Sequence, residues 1–239
     1  MGDGTIQESA YVRDAFARIA DRYALTNHVL SGGTDILWRR KMARLVRGWA
    51  PERVLDVATG TGDLALEIQK VCLRAEVIGS DFCAEMLAHA ASRGLAETLV
   101  ADALELPFAD GEFDVVTVAF GLRNMADYRR ALIEMRRVLR PGGHLLVLDF
   151  SLPESRLRPV YRWYLHRVLP KLAGWLTREG DAYEYLGGSI EQFPMGEAMT
   201  RLIGECGFAD VGATPLTFGV ASCYTGVANG RGGAAADGG

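Results

Sequence analysis

The stretch Val54-Leu55-Asp56-Val57-Ala58-Thr59-Gly60-Thr61-Gly62-Asp63 decides how this chain reads. A β-branched, apolar run ends in a carboxylate, a glycine-rich turn follows, and Leu64, Leu66 and Ile68 then begin an apolar-periodic segment. Strand, tight loop and helix in that order build a site for a nucleotide-type ligand, because glycine removes the bulk that would keep a ligand off the backbone. Gly60-x-Gly62-x-x-Ala65 matches the dinucleotide fingerprint, and Asp81 lies about 20 residues on, where a ribose-binding acid belongs. The charges favour a different ligand. A pyrophosphate seeks the positive end of a helix, and here that end carries Asp63, with Asp56 just ahead of the loop. S-adenosyl-L-methionine carries a sulfonium and an ammonium cation, so the same acids suit it. Asp63 could instead serve only as a helix cap, a common role for Asp. That reading leaves Asp56 and the spacing to Asp81 unexplained.

Composition narrows the class. At 239 residues, 49% hydrophobic and 23% charged, the chain is an ordinary globular protein with room for a sizeable core. A net charge of -4 argues against nucleic acid as the main partner. No apolar run approaches the ~20 residues of a membrane span, and Met1 to Ser9 lacks a signal-peptide core. Cys72, Cys83, Cys206 and Cys223 are scattered without Cys-x-x-Cys spacing, which reads as small buried side chains rather than metal ligands or disulfides. A cytoplasmic compartment is the default expectation, and no metal site is expected.

Strands alternate with helices along the chain. Helices are expected over Tyr11 to Arg22, Trp38 to Val46, Gly62 to Cys72, Ala84 to Ala91, Tyr128 to Leu139 and Glu197 to Cys206. Strands are expected over Arg53 to Val57, Glu76 to Ser80, Glu97 to Ala101, Phe113 to Ala119 and His144 to Phe150, with two further β-like runs over Val211 to Leu216 and Phe218 to Tyr224. Pro141-Gly142-Gly143 is expected to stop the helix before it. Solidly apolar strands alternating with helices imply a doubly wound α/β sheet, mostly parallel, with ligands beyond the carboxyl ends of the strands. Asp56, Asp81 and Asp102 each fall at such an end. Asp81 can accept hydrogen bonds from both ribose hydroxyls, with Phe82 and Met86 placed to flank a ring. Asp102 can accept from an adenine amino group, and the adjacent Ala103 offers a backbone amide. Either acid could equally be a turn or cap residue. His28, His89 and His144 sit in no nucleophile or metal pattern.

These residues together resemble the class I S-adenosylmethionine-dependent methyltransferases. Ala119-Phe120-Gly121-Leu122-Arg123-Asn124 resembles the segment after the fourth strand in the ubiquinone/menaquinone biosynthesis C-methyltransferases. Arg137 to Ser151 is similar to that family's second signature, and Tyr23 to Ser31, with Trp38, to its first. The likeness runs from Val12 to Gly226. The family usually has Asp at Ala24, Met at Thr26, His at Asp35, Lys at Arg140 and Glu at Asp149; the last two differences keep charge.

The resemblance implies a Rossmann-like methyltransferase domain over 1–225, with an N-terminal helical substrate cap at 10–50 and a helical lid insertion at 152–195; the Gly/Ala-rich composition of 226–239 is expected to leave it a disordered tail. It implies S-adenosyl-L-methionine held by Asp56, Gly60, Thr61, Gly62, Asp81, Phe82, Asp102, Ala103 and Ala119. It also implies C-methylation of a polyprenylated quinol, with Arg123 favouring the ionised phenol, Asn124 adding a hydrogen bond, and Tyr23 and Asn27 in the substrate wall. Arg156 to Arg178 interleaves Val160, Trp163, Tyr164, Leu169 and Trp175 with arginines. This pattern suits either a lid packed on the domain or a helix at an anionic membrane surface, with Pro170 dividing it. Peripheral membrane contact and self-association are both open to such a chain. The competing readings are an O- or N-methyltransferase on the same scaffold, an NAD-binding oxidoreductase lacking a visible Tyr-x-x-x-Lys relay, and a non-catalytic binding protein.

Overall fold

Alternation within each strand builds the core. Val54, Val115, Leu146 and Leu148 point into one apolar layer, while Leu55, Val57, Val116, Val118, Leu145 and Val147 point into the other. A strand apolar on both faces must be covered on both, and helices do this on each side. The computed structural model describes residues 31, 33–153, 158–164, 167 and 193–230. In chain order the elements are α1 (Asp35–Gly48), β1 (Arg53–Val57), α2 (Asp63–Val71), β2 (Glu76–Asp81), α3 (Ala84–Ser92), β3 (Glu97–Val100), β4 (Phe113–Ala119), a 3-10 turn (Leu122–Asn124), α4 (Tyr128–Val138), β5 (Leu139–Phe150), α5 (Arg158–Trp163), α6 (Glu197–Glu205), β6 (Phe208–Leu216) and β7 (Ala221–Ala228).

The seven strands form one sheet in the order β3-β2-β1-β4-β5-β7-β6. Strands β1 to β5 pair in parallel, and β7 inserts antiparallel between β5 and β6. The order reverses at β1 and β4, so the carboxyl ends of these two central strands bound the crevice where such sheets take ligands. Layer one holds Trp38, Met42 and Val46 of α1 with Leu64, Ala65 and Ile68 of α2. Layer two holds Leu132, Met135 and Val138 of α4 with Met199 and Ile203 of α6. In both layers the spacing by three and four residues lays an apolar stripe against the sheet.

Several boundaries differ from the sequence expectation, and three of the differences have a clear physical cause. Helix α4, capped by Asp127 accepting from the Arg130 amide at 2.9 Å, ends at Val138, one residue short of the expected Leu139, and β5 begins at Leu139 and not at His144. Leu139 is drawn into pairing with Phe113, and the ladder resumes at Val115 with His144, leaving Arg140 to Gly143 as a bulge. Arg140 also precedes a proline, which disfavours helical backbone. A Cβ on Gly143 would lie 3.0 Å from the carbonyls of Arg140 and Asp114, so the bulge closes only over glycine. Second, β7 begins at Ala221, because Thr217 to Gly219 form the hairpin turn and Phe218 adopts φ 59°. Third, β7 runs to Ala228, into the segment expected to be a tail. Pairing with β5 and β6 on either side satisfies its backbone, and Val227 lies opposite both His144 and Ala209.

The helix expected over Tyr11 to Arg22, the substrate-wall residues Tyr23 and Asn27, and the departures at Ala24 and Thr26 lie outside the described residues, as does most of the expected lid. The four cysteines are free thiols, all buried.

Candidate active site

The loop after β1 is held from below. Asp56 is 1% exposed and faces inward. Its carboxylate accepts from the Thr59 hydroxyl at 2.6 Å and from that of Thr117, its register partner on β4, at 2.5 Å. Asp56 therefore braces the loop from within. Burial pushes its carboxyl up from an ordinary 3.8 to about 6, against the Thr117 and Thr59 hydrogen bonds and the charge of Arg39. A group raised on folding contributes stability that is lost as pH rises from its unfolded to its folded pKa. Stability should therefore fall between about pH 4 and pH 6, by roughly 3 kcal/mol for a shift of this size. Asp56→Asn should flatten that slope and match or exceed wild-type stability at pH 7, as urea unfolding at a series of pH values will read. An unchanged slope would contradict the inward placement.

Asp63 is also consumed internally. It pairs with Arg93 at 2.8 Å, lies 4.0 Å from Arg39, and accepts from the Thr61 hydroxyl at 3.1 Å. Burial raises its pKa, but Arg39, Arg93 and Thr61 together outweigh burial and hold the carboxyl below its ordinary value. Contrary to the sequence expectation, Asp63 does not stand as a free charge against a pyrophosphate, because two arginines compensate it. Arg39 also pairs with Asp35, which is fully buried and accepts from Ser31 at 2.7 Å. The departure at Asp35 thus sits in a buried ion pair.

Asp81 is placed differently. It ends β2 at 7% exposure and accepts from the Gly60 amide at 2.8 Å and the Cys83 amide at 3.0 Å. Burial raises its pKa against these backbone hydrogen bonds. The Phe82 amide also bonds this carboxylate; an ionised carboxylate has about four lone-pair sites, so three amides still leave capacity for a ribose hydroxyl. Gly60 (φ 55°) is the open point of the loop, since a Cβ there would meet only the Met86 sulfur at 3.7 Å. Gly62 (φ 80°) caps α2, and a Cβ would lie 3.0 Å from that of Ala90. Thr61, between them, accepts at its carbonyl from Arg93 at 2.7 Å. Phe82 is 39% exposed beside Asp81, while Met86 is buried. Asp102 is exposed, its carboxylate closing a turn on the Leu104 amide at 2.8 Å, and Ala103 is half-buried. Ala119 ends β4 half-buried, opposite Leu148. An open glycine beside a carboxylate, with the neighbouring arginines committed to Asp63, fits a nucleoside whose far end is cationic better than one carrying phosphates.

Beyond β4 the chain supplies a second charged group. Phe120 turns back at φ 60°, and its amide donates to Leu148 at 2.7 Å. Arg123 is buried rather than on the surface, and it pairs with buried Asp149 of β5 at 2.5 Å. The same guanidinium donates to the Phe120 carbonyl at 2.8 Å and lies 5.4 Å over the Phe150 ring. Asp149 also accepts from the Phe150 amide at 2.8 Å. Burial raises the Asp149 pKa, opposed by Arg123. Asn124 donates to the Phe120 carbonyl at 3.3 Å. Asp149 was legible only as a signature position. An acid inside the apolar run Leu145 to Phe150 signals a buried partner, because an isolated buried charge is too costly to keep.

The model of the ubiE/COQ5 methyltransferase family matches residues 5–228. The chain is 50% identical to a demethylmenaquinone methyltransferase from Thermus thermophilus over 217 residues, which are 88% of this chain and 98% of that protein. It is 42% identical to a ubiquinone/menaquinone biosynthesis C-methyltransferase UbiE from Geobacter sulfurreducens, over 90% of this chain and 87% of the relative. Among solved structures, a SAM-dependent methyltransferase from Thermotoga maritima, described as a possible histamine N-methyltransferase, matches with a TM-score of 0.64. That likeness spans 90% of this chain and 99% of the other at 21% identity, and so shows the fold alone. Family match and fold agree, and the chain is a methyltransferase belonging to the ubiE/COQ5 methyltransferase family.

Proposed function

We propose that this enzyme methylates a ring carbon of a polyprenylated quinol, a demethylmenaquinol or a ubiquinone-precursor benzoquinol, with S-adenosyl-L-methionine as methyl donor. The observation that carries the reading is the placement of two devices at the carboxyl ends of neighbouring strands of one sheet. One is the open glycine loop held by Asp81, and the other is the pair formed by Arg123, beyond β4, and Asp149, near the end of β5. The naphthoquinol is the first ring to test, because the relative at 50% identity is a demethylmenaquinone methyltransferase.

When bound, S-adenosyl-L-methionine supplies an electrophilic methyl group whose sulfur keeps the bonding pair, while the ring carbon gains the methyl and loses a proton. The chain's part is alignment and charge. Asp81 accepts from the ribose hydroxyls, Phe82 flanks the adenine, and Asp102 and the Ala103 amide read its edge. Gly60, Thr61, Gly62 and Ala119 let the ligand lie against backbone. Alignment of the two reactants accounts for much of the acceleration. The Arg123 charge favours phenolate over phenol, which makes the ring carbon more nucleophilic, and Asn124 adds a hydrogen bond. Arginine stays protonated, so water or a nearby acid takes the ring proton. Tyr23 and Asn27 belong to the substrate wall. The prenyl tail lies in lipid, and α5 suits contact with that surface, since its Arg158, Arg162 and Trp163 are all exposed.

Assays with methyl-labelled donor should move label into the lipid phase with a reduced demethylmenaquinol or benzoquinol. No transfer to either ring contradicts the reading. Asp81→Ala should weaken donor binding on the order of 10- to 100-fold, the equivalent of losing a charge-assisted hydrogen-bond pair. Calorimetry checks this, and unchanged affinity would move the ribose elsewhere.

A further inference from the structure

We propose that the Tyr161 hydroxyl is a second donor to the phenolic oxygen of the acceptor ring, acting beside Arg123. The proposal rests on the quinol reading above. Tyr161 lies on α5, the described helix that follows the carboxyl end of β5. Its ring packs against the layer that holds Trp38, Phe120 and Phe150 and stacks on Tyr164, with centroids 6.1 Å apart and planes at 24°. Its hydroxyl oxygen is sealed from solvent, yet it makes no hydrogen bond among the described residues. A buried hydroxyl without a partner costs about 1–3 kcal/mol. A phenylalanine would pack equally well without that cost, so the hydroxyl contributes nothing to the free protein.

A ligand can supply the missing partner. Arg123, over the Phe150 ring of the same aromatic cluster, is near enough for its charge to act on the Tyr161 hydroxyl. Burial, with a smaller push from neighbouring Tyr164, keeps that phenol well above its ordinary pKa despite Arg123. Tyr161 therefore stays protonated at working pH and can donate but not act as a base. Part of the Arg123 guanidinium is spent on Asp149 and the Phe120 carbonyl. A neutral donor and a cation set in an aromatic wall suit an oxygen that carries or develops negative charge. They do not suit an amine or an imidazolium. The pair thus selects a phenolic acceptor and lowers the pH at which it ionises.

The test is Tyr161→Phe in the full chain, read in three ways. Without ligands, its Tm should equal or exceed that of wild type, since no hydrogen bond is lost. With reduced short-tail demethylmenaquinol, kcat/KM should fall at least about tenfold, with calorimetric affinity for S-adenosyl-L-methionine unchanged. With S-adenosylhomocysteine present, the absorbance of bound 4-methoxy-1-naphthol should report ionisation about one pH unit higher than in wild type, a tenfold change. Wild-type turnover with an unshifted naphthol titration overturns the proposal. So does a lowered Tm with an unshifted titration, which would make Tyr161 a packing residue. The naphthol titration does not depend on turnover. If wild type methylates no quinol yet Tyr161→Phe still shifts the titration, the quinol reading fails and the donor role holds.

Discussion

Asp149→Ala should abolish turnover and lower folding stability by about 3–5 kcal/mol, the range for stranding one member of a buried ion pair. Asp149 and the Arg123 side chain are both almost fully buried. Removing the carboxylate leaves a buried guanidinium over the Phe150 ring with the Phe120 carbonyl as a remaining, uncharged acceptor, and frees the Phe150 amide of its partner. The charge that favours the phenolate would then be displaced toward solvent. Asp149→Glu keeps the charge and should retain part of the activity, with a cost from one extra methylene in a packed site. Removing both partners, Asp149→Leu with Arg123→Leu, should destabilise less than Asp149→Leu alone, while remaining inactive. Urea unfolding and turnover assays measure both quantities. An Asp149→Ala protein of wild-type stability would show that the pair is not buried.

Gly121→Ala should cost about 1–3 kcal/mol of stability by overpacking and weaken donor binding at least about tenfold. The new Cβ would lie 2.6 Å from the Cβ of Ala58. Neither methyl group can rotate away, so the backbone must move. Ala58 already holds φ 51°, immediately before Thr59 and Gly60, and a shift there displaces the loop that Asp81 holds. Ala58→Gly should rescue the defect, because it removes the opposing methyl and suits the positive φ. Calorimetry on the single and double variants reads the effect. Unchanged affinity in Gly121→Ala would mean that the junction of β1 and β4 does not set the loop.

What the chain order made legible was local. The strand, loop and helix at Val54 to Ile68 and the acid closing β2 could be read from patterns a few residues long. The roles of the acids could not, because their partners are distant. Thr117 reaches Asp56 from 61 positions away, and Arg123 meets Asp149 across 26. Arg39 and Arg93 converge on Asp63 from either side. One of the charges on which a preference for a cationic ligand depends in the sequence, Asp63, is spent internally by the fold. Asp81 is the acid that keeps an accepting role. The early start of β5 was hidden for a similar reason, since Leu139 pairs with Phe113, 26 positions away, and carries the strand back across Pro141. The Tyr161 hydroxyl left no pattern at all, because an unsatisfied group is visible only once its surroundings are packed.

Regiochemistry tests the central claim most directly. The enzyme, reduced demethylmenaquinol and methyl-13C S-adenosyl-L-methionine are combined under anaerobic conditions, and the extracted lipid is read by NMR. The label should appear as an aryl methyl on the ring carbon beside the prenyl-bearing position, with the signal of that carbon's proton gone. Label appearing as a methoxy group, or remaining wholly in the aqueous phase, would contradict ring-carbon methylation.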